Sequence, residues 1–109
     1  MESYKACMLL DFYGKLLTDK MRRTLELYYF DDLSLTEIAD SENISRQGVH
    51  DTLKRALKTL EDYENKLGLI DRFSKERDKV TQAVAMLEDG NIEQAKLILT
   101  KLDEELVSE

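Results

Sequence analysis

Between residues 46 and 58 the chain sets out Arg46, Gln47, His50, Asp51, Lys54, Arg55 and Lys58, side chains suited to holding and reading nucleic acid. An arginine guanidinium matches the two acceptors of a guanine edge and a glutamine amide matches adenine, so Arg46 and Gln47 are candidates for base contacts. Lys54, Arg55 and Lys58 suit phosphate oxygens, to which they bring charge without sequence information. Asp51 opposes them: it can accept from a cytosine amino group, or pair with Arg55 one turn later. His50 continues the same face.

Charge along the chain supports that focus. The net charge is −7, which would repel phosphates if spread evenly. It is not spread evenly: residues 44–60 hold Arg46, Lys54, Arg55 and Lys58 against Asp51, a net +3, whereas residues 18–43 carry −4 and residues 61–109 carry −6.

Catalytic chemistry finds little to work with. With one cysteine, Cys7, and one histidine, His50, there is neither an internal disulfide nor a Cys/His zinc set. Cys7 lies in an apolar stripe and reads as core packing. The pairs Asp31-Asp32, Glu88-Asp89 and Glu104-Glu105 read as solvated helix ends, and no glycine-rich phosphate loop is present. These features predict a protein that is not an enzyme and needs no cofactor. No run approaches the roughly 18 apolar residues of a membrane span, and MESYKACMLLDFYGKLL lacks the basic start and cleavage site of a signal peptide. A cytoplasmic protein with reduced thiol is expected.

The elements that must position the polar face are helices throughout, because the chain has no proline, four glycines and 36% charged residues. An apolar stripe predicts a first helix from about Tyr4 to Leu17. Thr18 caps a second helix through Phe30, and Asp31-Asp32 mark a turn. Ser34 to Glu37 form a capping box that opens a short helix to about Glu42. Asn43 tolerates the left-handed conformation that ends it, and Ser45 caps the next. That helix runs from Arg46 to Leu67, with Gly68 after its last turn. Within LTEIADSENISRQGVHDTL, Ala39 is small where two helices must cross closely, while Ile38, Ile44 and Val49 fill the angle between them; this is a helix-turn-helix. The long helix carries a seam at Val49, Leu53, Ala56, Leu60, Tyr63 and Leu67 that calls for a partner helix. A helix from Leu69 to Asp89 carrying Ile70, Phe73, Val80, Ala83, Val84 and Leu87, and a final helix past Gly90 and Asn91 burying Ile92, Ala95, Ile98 or Leu99, Leu102 and Leu106, predict a helical hairpin. The fold class is all-α, with residues 1–67 forming the N-terminal helices and helix-turn-helix and 68–109 a C-terminal helical hairpin, packed on the same or a partner chain as one structural domain. A homodimer is slightly favoured.

Residues 16–64 closely resemble the YlxM family, helix-turn-helix proteins associated with the signal recognition particle. The landmarks are Leu16-Leu17-Thr18-Asp19-Lys20, Glu26-Leu27-Tyr28-Tyr29, Asp31-Asp32, Ser34-Leu35, Glu37-Ile38-Ala39, Ser45-Arg46-Gln47-Gly48-Val49, Lys54-Arg55 and Leu60-Glu61-Asp62-Tyr63-Glu64. The family is similar to the promoter-reading C-terminal domain of sigma factors (sigma region 4-like). The resemblance implies a regulatory or accessory role in the particle pathway, with DNA, particle RNA or the particle GTPase as partner. By similarity Arg46 and Gln47 open the recognition helix and Lys54 and Arg55 lie on its continuation. The chain departs from the family pattern at Glu42, where an apolar residue usually closes the turn, at Asn43, where glycine is usual, and at Gly48, where alanine is common. Gly48 costs roughly 1 kcal/mol of helix preference and points to a close backbone approach.

Overall fold

The computed structural model describes residues 2–108, and among them every regular element is helical. The helices are α1 (Ser3–Tyr13), α2 (Asp19–Tyr29), α3 (Leu35–Glu42), α4 (Arg46–Leu67), α5 (Leu69–Glu88) and α6 (Ile92–Val107). They fall into two compact units, Met1–Ile70 and Asp71–Glu109.

In the first unit α4 packs against α1, α2 and α3. Its buried line of Val49, Leu53, Ala56 and Leu60 meets Leu9, Leu10, Tyr13, Leu25, Ile38 and Ala39 in one core. Ile38, Val49, Ala56 and Leu60 have no measurable exposure, so those positions on the inner line of α4 and the Ile38 that meets its first turn are wholly removed from water. The seam on α4 fades toward its end: Tyr63 is half-buried and Leu67 is 53% exposed.

The first helix is shorter than its stripe predicts. It ends at Tyr13, and Gly14–Leu16 form a 3-10 turn closed by the Leu17 amide donating to the Gly14 carbonyl at 3.1 Å. A Cβ at Gly14 would stand 3.0 Å from Leu10 Cδ1, so a side chain at this buried position would require Leu10 to give by a few tenths of an ångström where the backbone tightens.

The second unit is a helical hairpin. Gly90, at φ 79°, ends α5, with the Asn91 amide donating to the Met86 carbonyl at 2.8 Å, and Asn91 Oδ1 then accepts from the Gln94 amide to start α6. Ala83, Ala95 and Leu102 are its buried residues, and Lys79 Nζ pairs with Glu105 Oε2 at 2.8 Å between the helices. Here burial departs from the expectation: Val80, Val84 and Leu87 on α5, with Ile92 and Leu106 on α6, remain 45–64% exposed. Two helices bury one line of contact between them, and this pair carries more apolar surface than one line can cover.

Candidate nucleic-acid interface

The support for the polar face begins with local hydrogen bonds. Ser34 Oγ accepts from the Glu37 amide at 3.1 Å while Glu37 Oε1 accepts from the Ser34 amide at 3.0 Å, completing the capping box that opens α3. The Ser34 amide and hydroxyl hold the Glu37 carboxyl below its usual range. Asn43, at φ 57°, ends α3, and the Ile44 amide reaches back to the Ala39 carbonyl at 3.1 Å. This six-to-one closure brings Ile44 over the crossing and lets α4 start two residues later. Ser45 Oγ accepts from the Gly48 amide at 2.9 Å. A Cβ on Gly48 would lie 3.1 Å from that Oγ, so the close approach is to the cap itself.

All seven candidate side chains, Arg46, Gln47, His50, Asp51, Lys54, Arg55 and Lys58, are exposed. At about 100° of rotation per residue they occupy one half of the α4 cylinder, and Val49, Thr52, Leu53, Ala56 and Leu60 occupy the other. The same residue therefore cannot serve core and face. Arg46, Lys54 and Arg55 make no ion pair among the described residues. Lys58 is drawn toward Asp62, one turn on, at 3.9 Å. Arg46, Gln47 and His50 border a shallow depression with Leu35.

Asp51, left open between two roles by the sequence, takes a third. Its Oδ1 accepts from Gln47 Nε2 at 3.0 Å and lies 3.7 Å from His50 Nδ1, and no bond to Arg55 forms. One N–H of the Gln47 amide is therefore held along the helix, and its carbonyl oxygen accepts no hydrogen bond among the described residues.

Two interactions behind the face were not foreseen. Glu42 is half-buried, and its Oε1 meets Arg23 Nε of α2 at 3.1 Å, tying the end of α3 to α2. The departure at Glu42 was the available signal, but its partner lies 19 residues away. At the far end of α4, the Tyr13 hydroxyl donates to Glu64 Oε1 and accepts from the Leu69 amide at 3.1 Å, and Glu64 Oε1 also accepts from the Ile70 amide at 3.0 Å. These bonds satisfy the first amides of α5 from α1 and α4. Burial, then the Glu64 carboxylate, push the Tyr13 hydroxyl pKa up.

No helix among the described residues is long and apolar enough to cross a membrane. The family model for UPF0122, described as "Putative helix-turn-helix protein, YlxM / p13 like", matches residues 1–106. A UPF0122 protein of Desulforamulus reducens is 46% identical over 108 residues, covering 93% of this chain and 92% of its own length. One from Bacillus licheniformis is 48% identical over 97 residues, covering 87% and 90%. One from Acetivibrio thermocellus is 41% identical over 108 residues, covering 94% and 92%.

Proposed function

The chain belongs to the UPF0122 family of helix-turn-helix proteins, and we propose that it is a cytoplasmic regulatory protein that binds nucleic acid through the exposed face of α4, acting by binding rather than by catalysis. The observation that carries this is the pairing of an intact helix-turn-helix with three cations, Arg46, Lys54 and Arg55, that form no ion pair with any carboxylate among the described residues. In this reading Arg46, at the first turn of α4, approaches a base edge, and Lys54 and Arg55 neutralise phosphates further along. Gln47 offers its carbonyl oxygen, because Asp51 holds its amide nitrogen. That arrangement favours a donor on the base, such as a cytosine or adenine amino group. The resemblance to a sigma region 4-like reader and to particle-associated proteins supports a role in the signal recognition particle pathway, with DNA or particle RNA as ligand.

Fluorescence anisotropy of the full chain on a labelled DNA duplex and on a structured RNA, over a salt series, tests this. Each neutralised phosphate contributes about −0.9 to the slope of log affinity against log salt on a duplex, so Lys54 and Arg55 together contribute roughly −1.8. The triple variant Arg46→Ala/Lys54→Ala/Arg55→Ala is expected to lose that much slope. Binding with no salt dependence, or none to either probe, sinks the reading.

Two observations favour a second reading, a protein-interaction module docking the particle GTPase with nucleic-acid binding lost. Asp51 occupies the centre of the face and the chain carries −7. Pull-down from cytosol with and without nuclease separates the two: recovery of the GTPase unaffected by nuclease, together with absent anisotropy, supports the second.

A further inference from the structure

The hairpin formed by α5 and α6 carries an apolar face that its own two helices do not cover. Relative to the buried line of Ala83, the α5 residues Val80, Val84 and Leu87 are rotated by roughly 40–100° in the direction of the helix, at about 100° per residue. Relative to Ala95 and Leu102, the α6 residues Ile92, Leu99 and Leu106 are rotated by roughly 20–80° in the same sense. The two helices run antiparallel, so equal senses of rotation bring both stripes to one side of the hairpin. The six side chains are 41–64% exposed. At the scale of roughly 60–120 Å² that burial of such a side chain removes from water, they leave about 500 Å² of contiguous apolar surface. A helix pair of this size, with Ala83, Ala95 and Leu102 as its buried residues, has too little core to stand alone.

We propose that this face binds the same face of a second copy, forming an antiparallel four-helix bundle about a two-fold axis. Charge placement identifies the occupant. On the outer edge of the α5 stripe lie Arg77 and Glu88, of opposite sign, with their midpoint at Gln82 and Ala83. On the outer edge of the α6 stripe lie Lys96 and Asp103, again opposite, with their midpoint at Leu99 and Thr100. An isologous interface requires that residue i meet residue j while j meets i. A two-fold axis through these midpoints, laid across the hairpin, sets α5 on its copy and α6 on its copy, both antiparallel. Arg77 then faces Glu88 of the other copy, and Lys96 faces Asp103. The Lys79–Glu105 ion pair fixes the relative height of the two helices. From it, the midpoints lie level to within two residues, about 3 Å. One axis thus serves both pairs. None of the four charges makes an ion pair within its own chain among the described residues. Two apposed faces remove about 1,000 Å² of apolar surface before their polar rims are counted, the size at which specific interfaces become stable.

Sedimentation equilibrium of the full chain over a concentration series tests this, with circular dichroism to confirm that helicity is kept. The wild type is expected at twice the 12.7 kDa chain mass. Leu99→Asp, beside the axis, is expected to give the monomer mass. Arg77→Glu and Glu88→Arg each set like charges opposite one another and are expected to weaken association roughly tenfold or more. Neither residue has a charged neighbour three or four positions away on its helix, so the single changes break no intrahelical pair. The double variant restores both contacts and is expected to recover the dimer. A wild type that stays monomeric, whether the face is covered by the chain's own first unit or awaits a different protein, overturns the proposal. So does a dimer indifferent to Leu99→Asp, or a double variant no better than the single ones.

Discussion

Replacing Tyr13 by Phe removes one oxygen from the junction of α1, α4 and α5 and leaves the ring in place. Tyr13 is 1% exposed and its ring stacks on Tyr63 at 6.0 Å between centroids, contacts that Phe keeps. What is lost is the hydroxyl's donation to the Glu64 carboxylate and the acceptor for the Leu69 amide. Glu64 still accepts from the Ile70 amide, so its carboxylate is not stranded. A hydrogen bond to a charged group contributes about 1.5–3 kcal/mol and a stranded donor costs about 1–3 kcal/mol. Because the junction is only partly buried, water can reach the Leu69 amide, and the expected loss is about 2 kcal/mol. A unit of about 70 residues holds roughly 4–10 kcal/mol in total, so the change is large. Urea unfolding followed at the helical band should show a lower midpoint with an unchanged slope, and the melting temperature should drop by roughly 8–16 °C. A loss below about 0.5 kcal/mol would refute the account of how α5 is started.

The same substitution has a pH signature. Tyr13 titrates above its ordinary value of 10.0, chiefly through burial and then through Glu64. Above pH 10 the unfolded chain releases a proton that the native chain retains, so native stability is whole below that pH and declines as pH climbs toward the raised folded value. Tyr13→Phe should reduce that decline without abolishing it, because burial also raises the Tyr29 pKa.

Three further outcomes are expected. Lys58→Ala should change the salt slope of nucleic-acid binding less than Lys54→Ala or Arg55→Ala, since of the three only Lys58 has a carboxylate within 4 Å among the described residues; equal changes in anisotropy titrations would contradict this. Arg23→Ala should destabilise the fold by about 1 kcal/mol, reduced by the exposure of the guanidinium, whereas Glu42→Leu should be neutral or stabilising, and urea midpoints ordered the other way would count against the reading of that pair. The Glu37 carboxyl is held below its ordinary value of 4.5, so its contribution is complete above that pH and is lost as pH falls toward the folded value. In acid titrations Glu37→Gln should flatten part of the decline, leaving the share of Glu105, which the Lys79 ammonium likewise holds low.

What could be read in the sequence is what short-range chemistry decides. The ends of α3 and α4 follow from Ser34 with Glu37, Asn43, Ser45 and Gly68, each acting on backbone within a few residues of itself, and the observed bounds coincide with the expected ones. Ile38, Ala39 and Val49 were identifiable as the crossing because helical spacing and size constrain them together. The end of α1 was not, because the apolar stripe continues through Leu16 and Leu17 while the backbone tightens at Gly14–Leu16 between two helices that both pack on α4, a long-range requirement. The roles of Tyr13 and Glu64 were hidden for the same reason: 51 residues separate them. In the hairpin, periodicity marked the apolar positions correctly but could not say that Ile92 and Leu106 would find nothing within the pair to cover them. The seven polar positions were legible as one exposed face, whereas the preference of Asp51 for Gln47 over Arg55 is a choice between rotamers equally spaced along the helix.

The acidity of the whole chain is a weak objection to a nucleic-acid face, because charges act over a limited range. At physiological ionic strength exposed charges are screened over about 8 Å. Along α4, Arg46 stands about 22 Å from Glu61 and Lys54 about 10 Å from it, at 1.5 Å per residue. A phosphate approaching the first three turns therefore meets Arg46, Lys54 and Arg55 at full strength, opposed along the helix chiefly by Asp51, whose carboxylate already accepts the Gln47 amide. One turn further the sign reverses at Glu61 and Asp62, and Lys58 stands at that border with Asp62 3.9 Å away. The same helix thus attracts phosphate at its beginning and repels it beyond residue 60. In the proposed mode that gradient confines a bound duplex or stem to the end of α4 where the α3–α4 turn fixes the geometry, so that sequence reading falls to Arg46 and Gln47 rather than to side chains nearer the middle of the helix.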